Sequence, residues 1–161
     1  MVISVGDTLP EASFYSMSDD GPTAISTGDI FTGKKVVLFA VPGAFTPTCH
    51  MNHLPGFVTH AQDLHDKGVD EIAVVSVNDV FVMDAWAKST GGEGKIRFLC
   101  DPNGDFTKSI GMELDLVARG LGVRSKRYAM IVEEGKVTTL NVEDNPGEAV
   151  ASSAGKILEA L

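Results

Sequence analysis

The sequence has only two cysteines, Cys49 and Cys100, among its 161 residues. Two thiols are too few to form the disulfide scaffold of a small secreted domain. No apolar run reaches the roughly 18 residues that a membrane-spanning helix needs, and the first residues lack the basic and apolar segments of a signal peptide. We therefore expect a cytoplasmic protein without a membrane segment, in which both cysteines are free thiols.

Positive charge is also scarce. The chain has 13 Lys and Arg residues against 22 Asp and Glu residues, which gives a formal net charge of −9. Such a surface repels phosphate, so nucleic acids and anionic membranes are excluded as expected partners. The hydrophobic fraction of 43% is close to the globular norm. The length fits one packed core, so residues 1–161 are predicted to form a single domain.

Short apolar runs set the predicted element order. Buried strands are predicted at residues 34–41, 70–77 and 95–100. Helices are predicted at 46–66 (with a kink at Pro55-Gly56), 79–89, 105–111 and 147–161. A hairpin is predicted at 126–143, with its turn at Glu134-Gly135, and an irregular stretch is predicted before it. Residues 1–33 are predicted to form small strands or a hairpin.

This order predicts an α/β protein. Strands that alternate with helices form a largely parallel sheet covered on both faces, and the last hairpin adds antiparallel strands. The sequence of elements is that of a thioredoxin-like fold. We therefore expect a central mixed sheet flanked by helices, with an N-terminal hairpin extension.

Cys49 lies directly after the first predicted core strand, where a helix begins. Thr46 is a suitable N-cap and Pro47 a suitable first helical residue, which puts Cys49 in the first turn. Unpaired backbone N–H groups and the helix dipole favour a thiolate there. A buried, inert cysteine is the alternative. Position 52 is Asn, so the Cys-x-x-Cys pair of a dithiol oxidoreductase is absent.

A metal site is the other reading of this segment, because Cys49, His50 and His53 form Cys-His-x-x-His. A structural zinc site has four ligands, and only three are local here. We therefore predict no metal site here.

The segment VLFAVPGAFTPTCHMNHLPGF (37–57) carries the pattern Pro-x-x-x-Thr-x-x-Cys on Pro42, Thr46 and Cys49. It resembles the peroxiredoxins, and within them the type II group that includes atypical two-cysteine members. The resemblance continues in SVNDVFVMDAWAK, in ELDLVARGLGVRSKRYAMIV and in the terminal SSAGKILEAL, and so covers essentially the whole chain.

The resemblance implies a thiol peroxidase that reduces hydrogen peroxide and organic hydroperoxides through a Cys49 sulfenic acid. Thr46 would hold the peroxide, Pro42 would form the pocket wall, and Arg127 would supply positive charge to the thiolate and the leaving oxygen. No cofactor is implied.

The roles of three further residues follow less directly from the resemblance. Arg124 is the alternative to Arg127 as the residue that matches the family's arginine. If it is not that arginine, its expected role is to orient carboxylates. His53, Phe45 and Arg124 are predicted at the edge of the pocket. A homodimer is also implied by the resemblance, with aromatic turns near the site at the contact.

The sequence departs from the two-cysteine members of the family. Val74 stands where plant-type members carry a resolving cysteine, and EAVASSAG contains no cysteine either. Cys100 is the remaining candidate resolving thiol. Two strand spacings, about 10 Å, would separate the strand ends, whereas a disulfide needs Cα atoms within about 7 Å. We therefore expect a one-cysteine mechanism in which an external thiol (glutathione/glutaredoxin or thioredoxin) is the electron donor.

A second function class stays open at this point. On the same scaffold, Cys49 oxidation could change partner contacts in a non-enzymatic peroxide-sensing or redox-regulated interaction domain. Thr46 and Arg127 favour the enzyme, because a sensor needs no group to hold a peroxide.

Overall fold

The computed structural model describes all 161 residues. Its nine strands are β1 Ser13–Ser18, β2 Gly21–Ser26, β3 Lys35–Ala40, β4 Glu71–Ser76, β5 Arg97–Cys100, β6 Glu113–Leu116, β7 Gly122–Ser125, β8 Tyr128–Glu133 and β9 Lys136–Val142. The six α-helices are α1 Thr27–Phe31, α2 Leu54–Thr59, α3 Ala61–Asp66, α4 Val80–Thr90, α5 Asp105–Ser109 and α6 Ala154–Ala160. None of them combines the length and the hydropathy needed to cross a membrane.

Seven strands form one mixed sheet in the order β2-β1-β5-β4-β3-β8-β9. The central strands β3, β4 and β5 are parallel, whereas β8 pairs with β3 antiparallel and continues into β9. The hairpin β1–β2 joins the other edge through β5. The predicted thioredoxin-like fold with an N-terminal hairpin extension is therefore confirmed.

The side chains of β3 alternate between two apolar cores, one on each face of the sheet. Val37, Phe39 and Val41 face the core that α2, α3, α4 and α6 cover. Val36, Leu38 and Ala40 face the core that α1 and α5 cover. Both faces of β3 are buried, which explains why this strand is a continuous apolar run.

The helix predicted at 46–66 is broken into three pieces. Its first part contains a π-helical turn, Cys49–His53, in which the Leu54 N–H donates to the Cys49 carbonyl five residues back. α2 and α3 follow, with a break at His60. The predicted kink at Pro55-Gly56 falls directly after this π-helical turn, and Pro55 occupies the start of α2.

Two further predictions need correction. The stretch predicted as irregular contains the separate two-stranded sheet β6–β7, closed by a 3₁₀ turn at Val117–Arg119. The closing helix is shorter than predicted, because Ser153 caps α6 by accepting from the Lys156 N–H. Val150, which lies within the helix predicted at 147–161, is outside α6 and 60% exposed. Residues 144–153 form an irregular segment instead, and this segment packs against the site described below.

The hairpin turn at Glu134-Gly135 yields the first prediction. Glu134 adopts φ 50° and Gly135 φ 81°, so both turn residues are left-handed, as a two-residue hairpin turn requires. Glutamate pays a steric cost in this conformation that asparagine largely avoids. We expect Glu134→Asn to raise the free energy of unfolding by about 0.5 kcal/mol, measured by urea denaturation. Glu93→Asn removes the same charge at an exposed position without positive φ and should leave stability unchanged.

Candidate active site

The turn between β3 and the helix that follows it determines the position of Cys49. Val41 still pairs with the sheet through its N–H and the Val75 carbonyl, and the chain then turns through Phe45, whose φ is 64°. The helix begins with the His50 N–H donating to the Thr46 carbonyl at 2.9 Å. Cys49 is fully buried in the first turn. The structure therefore places Cys49 at the carboxyl end of a parallel strand, as the sequence predicts.

Two neighbouring segments hold this turn. The Ala44 N–H donates to Asn78 Oδ1 at 3.0 Å, which ties the turn to the segment after β4. Arg124 Nη1 donates to the Pro42 carbonyl at 3.3 Å. A Cβ on Gly43 would lie 2.7 Å from Arg124 Nη1, so a larger residue at this position would displace the Arg124 guanidinium.

Two polar atoms lie within hydrogen-bonding distance of the Cys49 sulfur. Thr46 Oγ1 lies 2.9 Å from Sγ and 2.7 Å from the Gly43 carbonyl. Its single proton can be donated to only one of them at a time. Arg127 Nη2 donates to Sγ at 3.0 Å. The structure thus brings together Thr46, Cys49 and Arg127, which the sequence pattern singled out across almost eighty residues.

Arg127 is a buried cation, and each of its three side-chain nitrogens makes a hydrogen bond. The residue is 2% exposed. Nε donates to the Pro146 carbonyl at 3.0 Å, Nη1 to His53 Nδ1 at 3.0 Å, and Nη2 to the Cys49 sulfur. A buried charge is costly unless it is hydrogen-bonded and paired. Of these three acceptors, only the sulfur can carry a negative charge, so the arrangement favours the thiolate.

His53 lies behind Arg127 and not at the pocket edge, which corrects the prediction. It is 2% exposed. Its Nε2 lies 2.9 Å from the Ser152 carbonyl, which can only accept, so Nε2 carries the proton and Nδ1 accepts from Arg127. Burial and the adjacent Arg127 charge lower the pKa of His53 to about 4. His53 is therefore neutral at physiological pH, and it helps to align the guanidinium.

A pocket of about 270 Å³ lies beside Thr46 and Arg127, the two residues that contact the Cys49 sulfur. Its lining comprises Pro42, Thr46, Pro47, Thr48, Leu114, Leu116, Arg119, Leu121, Arg127, Pro146 and Gly147. Phe45 is 47% exposed and does not line the pocket, since its ring stacks on His50 instead. Arg124 also lies outside the lining, and it binds backbone carbonyls rather than carboxylates.

Sequence reasoning missed the segment that follows β9. The Thr48 hydroxyl donates to the Gly147 carbonyl at 2.7 Å, and Pro146 accepts from Arg127. Glu143 accepts four hydrogen bonds from residues 150–152. The only sequence signal was the acidic pair Glu143-Asp144 ahead of a Pro-Gly turn in NVEDNPGEAVASS, and nothing local ties Glu143 to a cysteine ninety-four positions earlier.

His50 and His53, the two histidines of the Cys-His-x-x-His segment, both make hydrogen bonds to other residues. His50 Nδ1 accepts from the indole N–H of Trp86 at 3.1 Å, while His53 is bound on both nitrogens. No three His, Cys, Asp or Glu side chains of the chain are grouped to hold a metal ion.

Cys100 lies apart from this site. It is the last residue of β5 and pairs with Ser76 at the end of β4, so β4 separates it from β3. It is buried and unpaired. Burial, followed by the charges of Asp79 and Asp84, raises the pKa of its thiol to about 12. Such a thiol is a poor nucleophile at neutral pH.

Comparison with known proteins agrees with this geometry. A model of the Redoxin family matches residues 4–158. Peroxiredoxin-2B of Arabidopsis thaliana is 50% identical over 161 residues, covering 99% of this chain and 98% of the relative. The chloroplastic Peroxiredoxin-2E of the same plant is 48% identical, covering 99% of this chain and 69% of the relative. Reduced Prx3 of Vibrio vulnificus in complex with H₂O₂ is 49% identical with a TM-score of 0.94, covering 99% of each chain.

A thioredoxin-like sheet with a buried thiol, an arginine and a threonine at one strand end defines a thiol peroxidase. The extent of these matches settles the family. The chain belongs to the redoxin family and, within it, to the peroxiredoxins.

The unequal surroundings of the two thiols lead to a prediction. In the folded protein, iodoacetamide should modify Cys49 and leave Cys100 intact up to about pH 9, where a thiol with a pKa near 12 is thiolate in only about one molecule in a thousand. Peptide mass spectrometry reads out the sites. Unfolding in urea should make both thiols reactive, and native labelling of Cys100 at the rate of Cys49 would contradict the assignment.

Proposed function

We propose that Cys49 is the residue oxidised by peroxide in this peroxidase, with Thr46 and Arg127 as its catalytic partners. The single observation that carries the proposal is the position of the Cys49 sulfur, 2.9 Å from a hydroxyl and 3.0 Å from a buried guanidinium. The thiolate attacks one peroxide oxygen and the O–O bond breaks. A sulfenic acid forms, and the other oxygen leaves as water or an alcohol after taking up a proton.

Each partner has a distinct role in this step. The Thr46 hydroxyl orients the peroxide, because it can accept one hydrogen bond and donate another. Arg127 stays protonated, favours the thiolate, and stabilises the negative charge on the leaving oxygen. Pro42 covers the sulfur and limits its contact with water. The pocket walls are supplied by Leu114, Leu116 and Leu121, so a peroxide with an apolar substituent can be accommodated.

The sulfenic acid is resolved by an external thiol in this proposal. A donor thiol attacks the Cys49 sulfur and releases water, and a second donor thiol then restores Cys49 and leaves the donor as a disulfide. The support for this proposal is that Cys100 is poorly suited to resolve Cys49 from within the chain. Cys100 is buried, β4 separates its strand from β3, and the pKa of its thiol is raised. Glutathione with glutaredoxin, or thioredoxin, is the proposed donor. The two free thiols are compatible with a reducing cytoplasm, which is the proposed location.

A homodimer is proposed on the basis of exposed apolar side chains near the site. Phe45, Met51 and Phe81 are each largely exposed, although large apolar side chains are usually covered. They lie on the segments after β3 and β4, which the Ala44–Asn78 hydrogen bond holds together. Analytical ultracentrifugation tests the proposal, and Phe81→Glu should shift the population toward the monomer.

The proposed role of Cys49 predicts that Cys49→Ser abolishes peroxide reduction with an added thiol donor. A hydroxyl at this position stays protonated near neutral pH and is a far weaker nucleophile than a thiolate. Peroxide consumption at matched concentrations measures the loss, and circular dichroism checks the fold. Comparable turnover by the serine variant would reject Cys49 as the reacting residue.

External resolution predicts that Cys100→Ser keeps most of the activity, which also makes it the matched control for Cys49→Ser. After one equivalent of peroxide, mass spectrometry of the wild-type protein should find Cys49 as sulfenic acid, and excess peroxide should give the sulfinic acid. A dominant Cys49–Cys100 linked peptide, with loss of two hydrogens, would show that Cys100 resolves through local unfolding.

A further inference from the structure

Glu143, directly after β9, carries an unusual number of hydrogen bonds for a half-buried carboxylate. Its oxygens accept from the backbone N–H groups of Val150 at 2.9 Å, Ala151 at 3.2 Å and Ser152 at 2.7 Å. They also accept from the Ser152 hydroxyl at 2.6 Å. Three consecutive backbone donors therefore converge on one side chain, and this contact fixes a segment that has no regular secondary structure.

The charge on Glu143 suits this role. Burial alone would raise the pKa of its carboxyl, but the hydrogen bonds from Ser152, Ala151 and Val150 together hold it below its usual range. An ionised carboxylate is acceptor-only, so all four donors are satisfied. Hydrogen bonds to a charged acceptor are also roughly twice as strong as neutral ones.

The segment that Glu143 holds is the one that orients His53. The Ser152 N–H and hydroxyl both donate to Glu143, while its carbonyl accepts from His53 Nε2 at 2.9 Å. This last bond fixes the tautomer, so that His53 Nδ1 presents a lone pair to Arg127 Nη1 at 3.0 Å. The guanidinium in turn donates to the Cys49 sulfur.

A second connection runs through the main chain. The Glu143 N–H donates to the Arg127 carbonyl at 3.0 Å. Glu143 thus contacts the backbone of Arg127 directly and its side chain indirectly. Both routes act on the position of the guanidinium relative to the sulfur.

We propose that Glu143 is a positioning residue for peroxide reduction, which it assists by fixing residues 150–152, and through them His53 and Arg127, against Cys49. The inference rests on the proposed roles of Cys49 and Arg127. Glu143 does not contact the sulfur and is not itself one of the residues that line the pocket, so it is not a catalytic residue.

The competing explanation is that Glu143 only stabilises a loop. The two explanations differ in what the folded variant does. A loop anchor would lower the unfolding temperature while the folded fraction keeps wild-type kinetics. A positioning residue would also alter the reactivity of Cys49 in the folded protein, because a displaced guanidinium stabilises the thiolate less.

Glu143→Gln is the informative substitution. It keeps the size of the side chain but replaces one acceptor oxygen with an NH₂ group that would face backbone N–H donors. Two rates are measured on folded protein: formation of the Cys49 sulfenic acid by rapid quench and mass spectrometry, and alkylation of Cys49 as a function of pH. Glu148→Gln is the matched control, since Glu148 is an exposed glutamate in the same segment without a side-chain hydrogen bond.

We expect Glu143→Gln to slow sulfenic acid formation about tenfold and to move the alkylation profile to higher pH, while Glu148→Gln matches the wild type. His53→Gln should act in the same direction. The double variant His53→Gln/Glu143→Gln should be little slower than the slower single variant, because both act through Arg127. Wild-type rates and an unchanged alkylation profile in folded Glu143→Gln would overturn the proposal.

Ser152→Ala covers the case in which Glu143→Gln does not fold. It deletes one donor and no charge, so a smaller change in the same two measurements is expected, and no change would overturn the proposal. The alkylation profile also separates the two levels of inference. If the wild type failed to reduce peroxide but the profile still shifted in Glu143→Gln, the proposed catalytic role of Cys49 would fail, while the positioning of Arg127 against the Cys49 sulfur by Glu143 would stand.

Discussion

The rest of the site depends on the burial of one guanidinium against one sulfur. Arg127 is removed from water and donates to the Cys49 sulfur, so its charge acts at short range in a medium of low dielectric constant. Removing a partner from a buried charge is far more costly than removing a surface ion pair. The sheet supplies the fixed frame for this contact, because β3 leads into the turn that carries Cys49 and β8 begins directly after Arg127. The thiol and the guanidinium are thus attached to adjacent antiparallel strands.

The surroundings of the pair keep the arginine from being neutralised by anything other than the sulfur. Its other acceptors are a backbone carbonyl and a neutral imidazole. The nearest carboxylate in this chain of contacts, Glu143, is occupied by four donors of its own and is separated from the guanidinium by His53 and Ser152. A negative charge beside Arg127 would compete with the thiolate, so keeping Glu143 one layer away preserves the electrostatic preference at the sulfur.

The sequence predicts what depends on local patterns and fails where distant segments decide. The strand before Cys49, the thioredoxin-like order of elements and the turn at Glu134-Gly135 follow from apolar runs and turn residues. Thr46 and Cys49 are three positions apart in one helical turn, so their proximity is a local property. The roles of His53 and of residues 144–153 depend on how the chain returns to the site after β9. The π-helical turn and the β6–β7 sheet also lack a local signal, since their segments are short and of mixed polarity.

The hydrogen bond between Trp86 and His50 gives the molecule an optical property tied to its chemistry. Trp86 is the only tryptophan, it is fully buried, and its indole N–H donates to the residue that follows Cys49. Indole emission is sensitive to the loss of a hydrogen bond and to contact with water. Any rearrangement of the first helical turn on oxidation of the sulfur therefore changes the environment of a single fluorophore. The protein consequently carries its own reporter of the redox state of that turn, without a label and without a background from other tryptophans.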